Sequence, residues 1–419
     1  MWKRGDLLRG GLLTGLLVAA VLSGCADRDE SYYEPDLTPP QVGSLTEDGG
    51  QVSWQTDENA TCVLTYGSRS GTYDHYAYHV MDGGLSHYVD LIDIEPGTYY
   101  FRVIATDPAG NESTAPETSM VIAEVPDTED LRYTAVDVGW GDCHFLEFPG
   151  GTTVLVDAAN DGAYSGTDHR ADVDAFLLAS GIKGPSGIDY MVATHAHRDH
   201  YGGFISLLPR FSDTYFMWPD DPADPFPLEL TSLITDYDIP SCTLVTGMSS
   251  DTEAFLDWDP AHGVEVTVFS SGAGKYMTSG QSGSTGNNDS VVLKITYGEV
   301  DILLCADAEF FVEQRTIKAF GAEVSAEVFK VGHHGNDDAT SEEWLHYLKA
   351  RVGFISNSLY DNDGVFDQSV INLLLDHKVD YYVTDRAYRN AGRKDAADHG
   401  NLTITTDGET YTVMAWSSS

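Results

Sequence analysis

Positive charge is scarce in this chain. Its 419 residues carry 23 Lys and Arg against 66 Asp and Glu, a formal net charge of −43. Tight nucleic-acid binding is driven by neutralising phosphates, so this balance argues against it. A local basic site survives that argument: Arg386, Arg389, Arg393 and Lys394 hold four of the 23 basic residues. They read either as a contact for an anionic substrate or as a solvated insertion before the last strand. Cysteine is scarce too, at five. Beyond Cys25 there remain Cys62, Cys143, Cys242 and Cys305, whose scattered spacing shows neither a disulfide framework nor a C-x-x-C metal motif. Cys305, in the apolar run 302–305, reads as a small buried hydrophobe. What is present suffices for ordinary cores: 42% of residues are hydrophobic, and the length suits two or three domains. The excess acid reads as a solubilising surface.

The N-terminus is a targeting segment. Lys3 and Arg4 precede an apolar stretch, Gly11 to Leu22, that is too short for a comfortable membrane span. It ends Leu22-Ser23-Gly24-Cys25, which resembles a bacterial lipobox. That resemblance implies removal of 1–24, lipid on the Cys25 thiol, and export to a membrane-anchored site. With Ala26 rather than Asp next, the site is the outer membrane if the cell is Gram-negative. An ordinary signal peptide and an uncleaved anchor are the alternatives. Without Lys3, Arg4, Arg9 and Asp6, the remaining chain stands at −45. Residues 25–38 read as a polar tether.

Residues 39–123 read as all-β, with short β-rich runs punctuated by Gly, Asp and Pro. Val52-Ser53-Trp54-Gln55-Thr56-Asp57, the strand from Glu95 to Val103, and Thr106-Asp107-Pro108-Ala109-Gly110-Asn111-Glu112 resemble a fibronectin type III domain. That implies a spacer or binding module. Trp54, Tyr73, Tyr76 and Tyr78 read as packing residues before sugar contacts. An acidic linker is expected at 124–130. Residues 131–419 alternate strands and helices, so they read as α/β. Strands are expected near 131–138, 153–156, 190–194, 264–269, 291–297, 302–305, 328–331 and 352–356. Helices are expected near 172–178, 204–208, 311–320 and 342–349. The Gly- and Ser-rich stretch 271–286 reads as a mobile loop near the site.

The densest chemistry is His195-Ala196-His197-Arg198-Asp199-His200, three imidazoles and a carboxylate within six residues. It follows an apolar strand and precedes a helix entry at Tyr201. Such a turn breaks strand alternation, so neighbouring side chains can point at one spot. Imidazole and carboxylate together suit zinc, manganese or iron. A solvated His-rich loop is the bland alternative. Asp157, Asp307 and the pair His333–His334 each follow an apolar strand as well. Taken singly, Asp307 reads as a helix cap and the His pair as a solvated turn; taken together they make one pattern.

At these residues the chain resembles a metallo-β-lactamase-fold hydrolase. The ComEC-type branch of competence DNA-uptake proteins and its secreted relatives, including phosphorylcholine esterases, match best. The carrying residues are 137–142, 155–157, 195–203, 287–293, 303–309, 329–335 and 403–408, in family order. The resemblance implies an αββα sandwich with two divalent metal ions, zinc first and manganese second, at one edge between the sheets. It puts His195 and His197 on metal one, Asp199, His200 and His334 on metal two, and Asp307 between them. Asp199 is preferred as ligand over general base. His333, the other candidate catalytic group, would touch substrate or stand behind the ligands, and Asp157 would orient a ligand imidazole. Many members place a third His on metal one where this chain has Asn287 and Asn288. Ala306 replaces the usual Gly, Trp140 replaces a polar residue, and 361–366 lacks a His-Pro found in related chains.

Two cations roughly 3.5–4 Å apart can share a hydroxide and stabilise both oxygens of a displacement. The implied activity is therefore an exported, lipid-anchored phosphoesterase acting on small or polymeric phosphoesters, phosphodiesters above all. β-Lactam or other amide and ester hydrolysis, and a surface scaffold with a vestigial site, are the alternatives. Oligomeric state is not legible.

Overall fold

The computed structural model describes residues 36–48, 51–73, 75–79, 85–91, 96–122, 130–163, 167–357, 366–384 and 400–416. Cys25 and the targeting segment, residues 124–129, positions 361–365 and the cluster Arg386, Arg389, Arg393 and Lys394 lie outside these. No helix of the described residues is long and apolar enough to cross a membrane.

The first strands are β1 (Thr46–Asp48), β2 (Gln51–Gln55), β3 (Thr61–Gly67), β4 (His75–His79), β5 (Ser86–Asp90), β6 (Gly97–Thr106), β7 (Glu112–Thr114) and β8 (Thr118–Ile122). They pair as β1-β2-β5 and as β4-β3-β6, with β7 and β8 both on β6. Strand alternation sends one set of side chains inward. Val52 and Trp54 of β2 thereby meet Cys62 and Leu64 of β3 and Phe101 and Val103 of β6 in one core. Trp54 is buried there and stacks on His87, with centroids 5.7 Å apart. Tyr73 donates its hydroxyl to Glu117, and Tyr76 donates to the Tyr73 carbonyl.

The next elements are β9 (Leu131–Ala135), β10 (His144–Glu147), β11 (Thr153–Val156), α1 (Arg170–Ala179), β12 (Tyr190–Val192), α2 (Arg198–Tyr201), α3 (Phe204–Leu207), β13 (Tyr215–Pro219), α4 (Leu228–Asp236) and β14 (Ser241–Leu244). Strands β9 to β11 are antiparallel, and β11 to β14 run parallel. Then come β15 (Glu265–Ser270), β16 (Val292–Tyr297), β17 (Val300–Leu304), α5 (Phe310–Phe320), β18 (Val328–Lys330), α6 (Glu342–Leu348), β19 (Val352–Ile355), α7 (Gln368–Asp376), β20 (Asp380–Val383), β21 (Asn401–Thr406) and β22 (Tyr411–Trp416). Strands β15 to β20 form a second sheet in chain order. Its parallel strands are nearly continuous apolar runs, as expected of a sheet covered on both faces.

The cores define the layers. Val154, Val192 and Met217 of the first sheet pack on Val266, Leu293 and Val328 of the second. The outer face of the first sheet packs on α1, α3 and α4 through Leu177, Phe204 and Leu230. The outer face of the second packs on α5, α6 and α7 through Val312, Trp344 and Ile371. This is a helix–sheet–sheet–helix sandwich with mixed sheets.

Two features differ from the sequence expectation. A helix begins inside the histidine motif, at Arg198, not beyond it at Tyr201, so His200 is a helical residue. The glycines after the motif allow this: a Cβ on Gly203 would land on the Ala158 carbonyl oxygen, so only glycine lets that segment lie against residues 158–159. The first sheet also continues past β9 through β21 and β22 onto β4, pairing Val413 with Tyr78. Met414 of β22 is buried in the core of the N-terminal strands. The expected linker at 124–130 falls almost wholly outside the described residues, and the sheet runs on from one set of strands to the other.

Candidate metal centre

The centre lies where the strands β11, β12, β17 and β18 end. Asp157 follows β11, His195 and His197 follow β12, Asp307 follows β17, and His333 and His334 follow β18. Five residues here have left-handed backbone: Asp157 (φ 59°), Ala159 (66°), Ala306 (48°), His333 (44°) and His334 (54°). Such strain in residues with a Cβ persists only where surrounding contacts impose it. Ala306 shows why glycine suits its position.

Asp307 is the hub. Its Oδ2 lies 3.0 Å from His200 Nε2, 3.7 Å from His195 Nε2 and 3.9 Å from His333 Nε2. Its Oδ1 lies 3.3 Å from His334 Nε2. Asp199 Oδ2 is 3.5 Å from the same His334 nitrogen and accepts the Trp140 indole N–H at 3.0 Å. Donor atoms of Asp199, His200, Asp307 and His334 all fall within 4.8 Å of one another, as do those of His195, His197 and Asp307.

The imidazoles are oriented from behind. His200 donates Nδ1–H to Asp157 Oδ2 at 2.7 Å, and His334 donates Nδ1–H to the Ser356 carbonyl at 3.0 Å. Each arrangement leaves Nε2 facing the carboxylates, where it can serve a cation that displaces its proton. Asp157 is itself held by Thr194, which gives it the backbone N–H and the hydroxyl. Among the described residues, no hydrogen bond reaches the buried Nε2 atoms of His195 and His334. Buried polar nitrogens are rarely left so. With carboxylate oxygens facing them, this donor set fits divalent cations.

The charges mark a site crowded with carboxylates, whose neighbouring imidazoles hold protons that a bound cation would displace. Burial alone would raise Asp307, but His200, His334 and Lys330 hold its carboxyl well below the usual range. Asp199 is lowered in the same way by His200 and His334 against its own burial. Burial works against a charged His200, yet Asp307, Asp157 and Asp142 hold it well above an ordinary imidazole. His334 rises to about 9, burial being outweighed mainly by Asp307. Burial and His200 together push His195 well below the usual value.

Asn287 and Asn288 do not turn their amide nitrogens to His195 and His197. Both donate to Glu309, at 2.9 and 2.6 Å, and their Oδ1 atoms stay buried without a hydrogen bond. His333 donates Nδ1–H to Asp338 at 2.7 Å, while its Nε2 stands 3.3 Å from Asn287 Nδ2. The stretch 271–286 lies against the site: Ser284 N–H is bound by Glu309, and Gly274 N–H by Asp289. Cys305 is buried and unpaired by disulfide, as are Cys62 and Cys143.

Sequence reasoning assigned no role to Asp142, Lys330, Glu309 or Asp338. Lys330 had a signal, a cation inside the apolar run 328–331. Asp142 and Glu309 stood in the quoted motifs without a partner to give them meaning, and Asp338 had no signal.

A family model described as the metallo-beta-lactamase superfamily matches residues 136–357. The chain is 26% identical over 262 residues to ComE operon protein 3 of Bacillus subtilis (strain 168), covering 60% of this chain and 31% of that protein. It is 32% identical over 80 residues to the uncharacterized protein YcaI of Escherichia coli (strain K12), covering 19% and 11%. The chain thus spans less than a third of the length of either relative. The solved structure of Zn(2+)-bound PqqB from Methylobacterium extorquens is 11% identical, covers 65% of this chain and 99% of its own, and has a TM-score of 0.38. Since the match to the family model takes in more than half the chain and every strand end that carries the centre, the chain belongs to the metallo-beta-lactamase superfamily, whose members are usually metal-dependent hydrolases.

Proposed function

We propose that this chain is an exported, lipid-anchored hydrolase of phosphoesters, phosphodiesters above all, working with two divalent cations, zinc first and manganese second. The observation that carries the reading is the asymmetry of the donors. Asp199, His200, Asp307 and His334 make a full set on one side. His195, His197 and the shared Asp307 make a smaller one, beside two asparagines held by Glu309. The same asymmetry weighs against β-lactam hydrolysis, because among the described residues no third imidazole joins His195 and His197.

Divalent cations in this centre would polarise the ester and supply a water nucleophile at neutral pH. The chain's own residues prepare the ground. Asp157 and the Ser356 carbonyl fix the tautomers of His200 and His334. Trp140 holds Asp199 by one oxygen. Asp338 fixes His333 so that Nε2 faces the centre, where it can touch a phosphoryl or leaving oxygen. Export and lipid anchoring rest on residues 1–25. The two-sheet arrangement of β1 to β8 supports the fibronectin-like reading of a spacer or binding module, and the surface scaffold remains the non-enzymatic competitor.

The test is reconstitution of purified protein with zinc or manganese, followed by metal analysis and assays with bis-(p-nitrophenyl) phosphate and nitrocefin. About two metals per chain and cleavage of the phosphodiester alone are expected. No retained metal and no phosphodiester cleavage would end the proposal, and metal near zero would favour the scaffold.

A further inference from the structure

Lys330 closes β18 in the second sheet, between β17 and β19, and has no exposed surface. Lysine is almost never fully buried unless paired, so each of its three N–H donors needs a partner. Nζ donates to the Ala306 carbonyl at 2.6 Å and to Asp307 Oδ1 at 3.3 Å, and it pairs with Asp142 Oδ2 at 2.8 Å. Two of these acceptors belong to one turn, the exit of β17. Ala306 in that turn has φ 48°, a left-handed backbone that a residue with a Cβ adopts only under constraint. Its carbonyl also accepts the His333 N–H, at 3.1 Å. The turn decides how Asp307 faces. One oxygen is turned to Lys330 and His334, the other to His200 and His195.

We propose that Lys330 is a positioning residue of the cation centre: it clamps the left-handed Ala306–Asp307 turn, so that Asp307 keeps one oxygen between His195 and His200. This rests on the reading of the centre as a cation site and on nothing about its substrate. The competing role is simple charge balance for Asp142. The two roles differ in what repairs their loss. Asp142 also stands behind His200 and His334, so a fall in zinc affinity that came from lost charge would not be restored by easing the turn. Loss of a clamp would be.

The test uses the full chain with the double substitution D142N/K330M, which removes both charges of the pair and so does not leave Asp142 buried and unpaired. Zinc affinity and stoichiometry are read by chelator competition, and folding by circular dichroism. The expected result is a folded protein whose zinc affinity falls about tenfold or more. Adding A306G, which lets the turn adopt its φ freely, recovers a large part of that loss. Zinc binding equal to or tighter than native in the double variant, or no recovery with A306G, overturns the proposal. A native chain that binds no zinc overturns the cation reading along with it, so the native control tells the two failures apart. Should the double variant fail to fold, A306G alone decides. A melting temperature raised by about 1–2 °C supports the strained turn that the clamp requires, and a lowered one overturns the proposal.

Discussion

His200 and Asp157 meet at 2.7 Å, Nδ1 to Oδ2, with no exposed surface on either. The contact keeps a proton on Nδ1, so that Nε2, 3.0 Å from Asp307, is the nitrogen left for a cation. Residues behind a ligand imidazole commonly contribute 10–100-fold in metal affinity. Asp157→Asn replaces an acceptor with a donor next to Thr194 and His200. Zinc affinity is expected to drop by about that range in a chelator competition, and native affinity in a folded D157N protein would remove Asp157 from the centre.

Asp307 faces both sets of imidazoles, so its loss should reach both cations. Asp307→Asn is expected to lower metal content below one per chain and phosphodiester cleavage by about three orders of magnitude. Metal analysis beside the rate distinguishes lost binding from lost chemistry. Full metal content with native turnover would exclude the bridging role.

Glu313 supplies a pH dependence away from the centre. It is buried on α5 and accepts the backbone N–H groups of Thr340 and Ser341, at the start of α6. Burial pushes its carboxyl up to about 7 despite those bonds. An acid raised in the folded state holds a proton that the unfolded chain has already released. Stability from this group is therefore full below about pH 4.5 and declines as pH rises to about 7. Thermal melts from pH 5 to 7 should slope downward in the native chain and less so in E313Q. Equal slopes would show that Glu313 does not titrate in that window.

Gly203 tests the close packing behind the motif. Gly203→Ala forces a methyl onto the Ala158 carbonyl, a backbone atom that cannot swing away. Overpacking of this kind costs about 1–3 kcal/mol. A melting temperature within a degree of native would show that the segment relaxes freely.

The continuous sheet predicts one unfolding transition for the N-terminal strands and the sandwich. Met414→Ala opens the N-terminal core from a strand of the other segment, at a cost of about 2–5 kcal/mol. Calorimetry should show the whole transition moving. Two separate transitions, with only one moved, would mean the segments unfold independently.

The αββα class was legible through the family resemblance that the motifs carry, and so were the imidazoles that face Asp307. Each follows an apolar strand, and parallel strands end at one side of a sheet. Short elements escaped: β13 and β14 are too brief for periodicity to decide, and α4 and α7, though amphipathic, are only nine residues each. Nor could the sequence pair β22 with β4, because a ladder between residues over 300 positions apart leaves no local signature.

The sequence by itself determined which side chains could hold a cation, since that chemistry resides in residue type and in spacing along single strands and turns. Tertiary structure alone decided what stands behind them. Lys330 meets Asp142 and Ala306, Glu309 takes the amides of Asn287 and Asn288, and Asp338 takes His333. Most of these contacts join distant strands and loops, and a buried charge acquires its role only from the partner that folding brings to it.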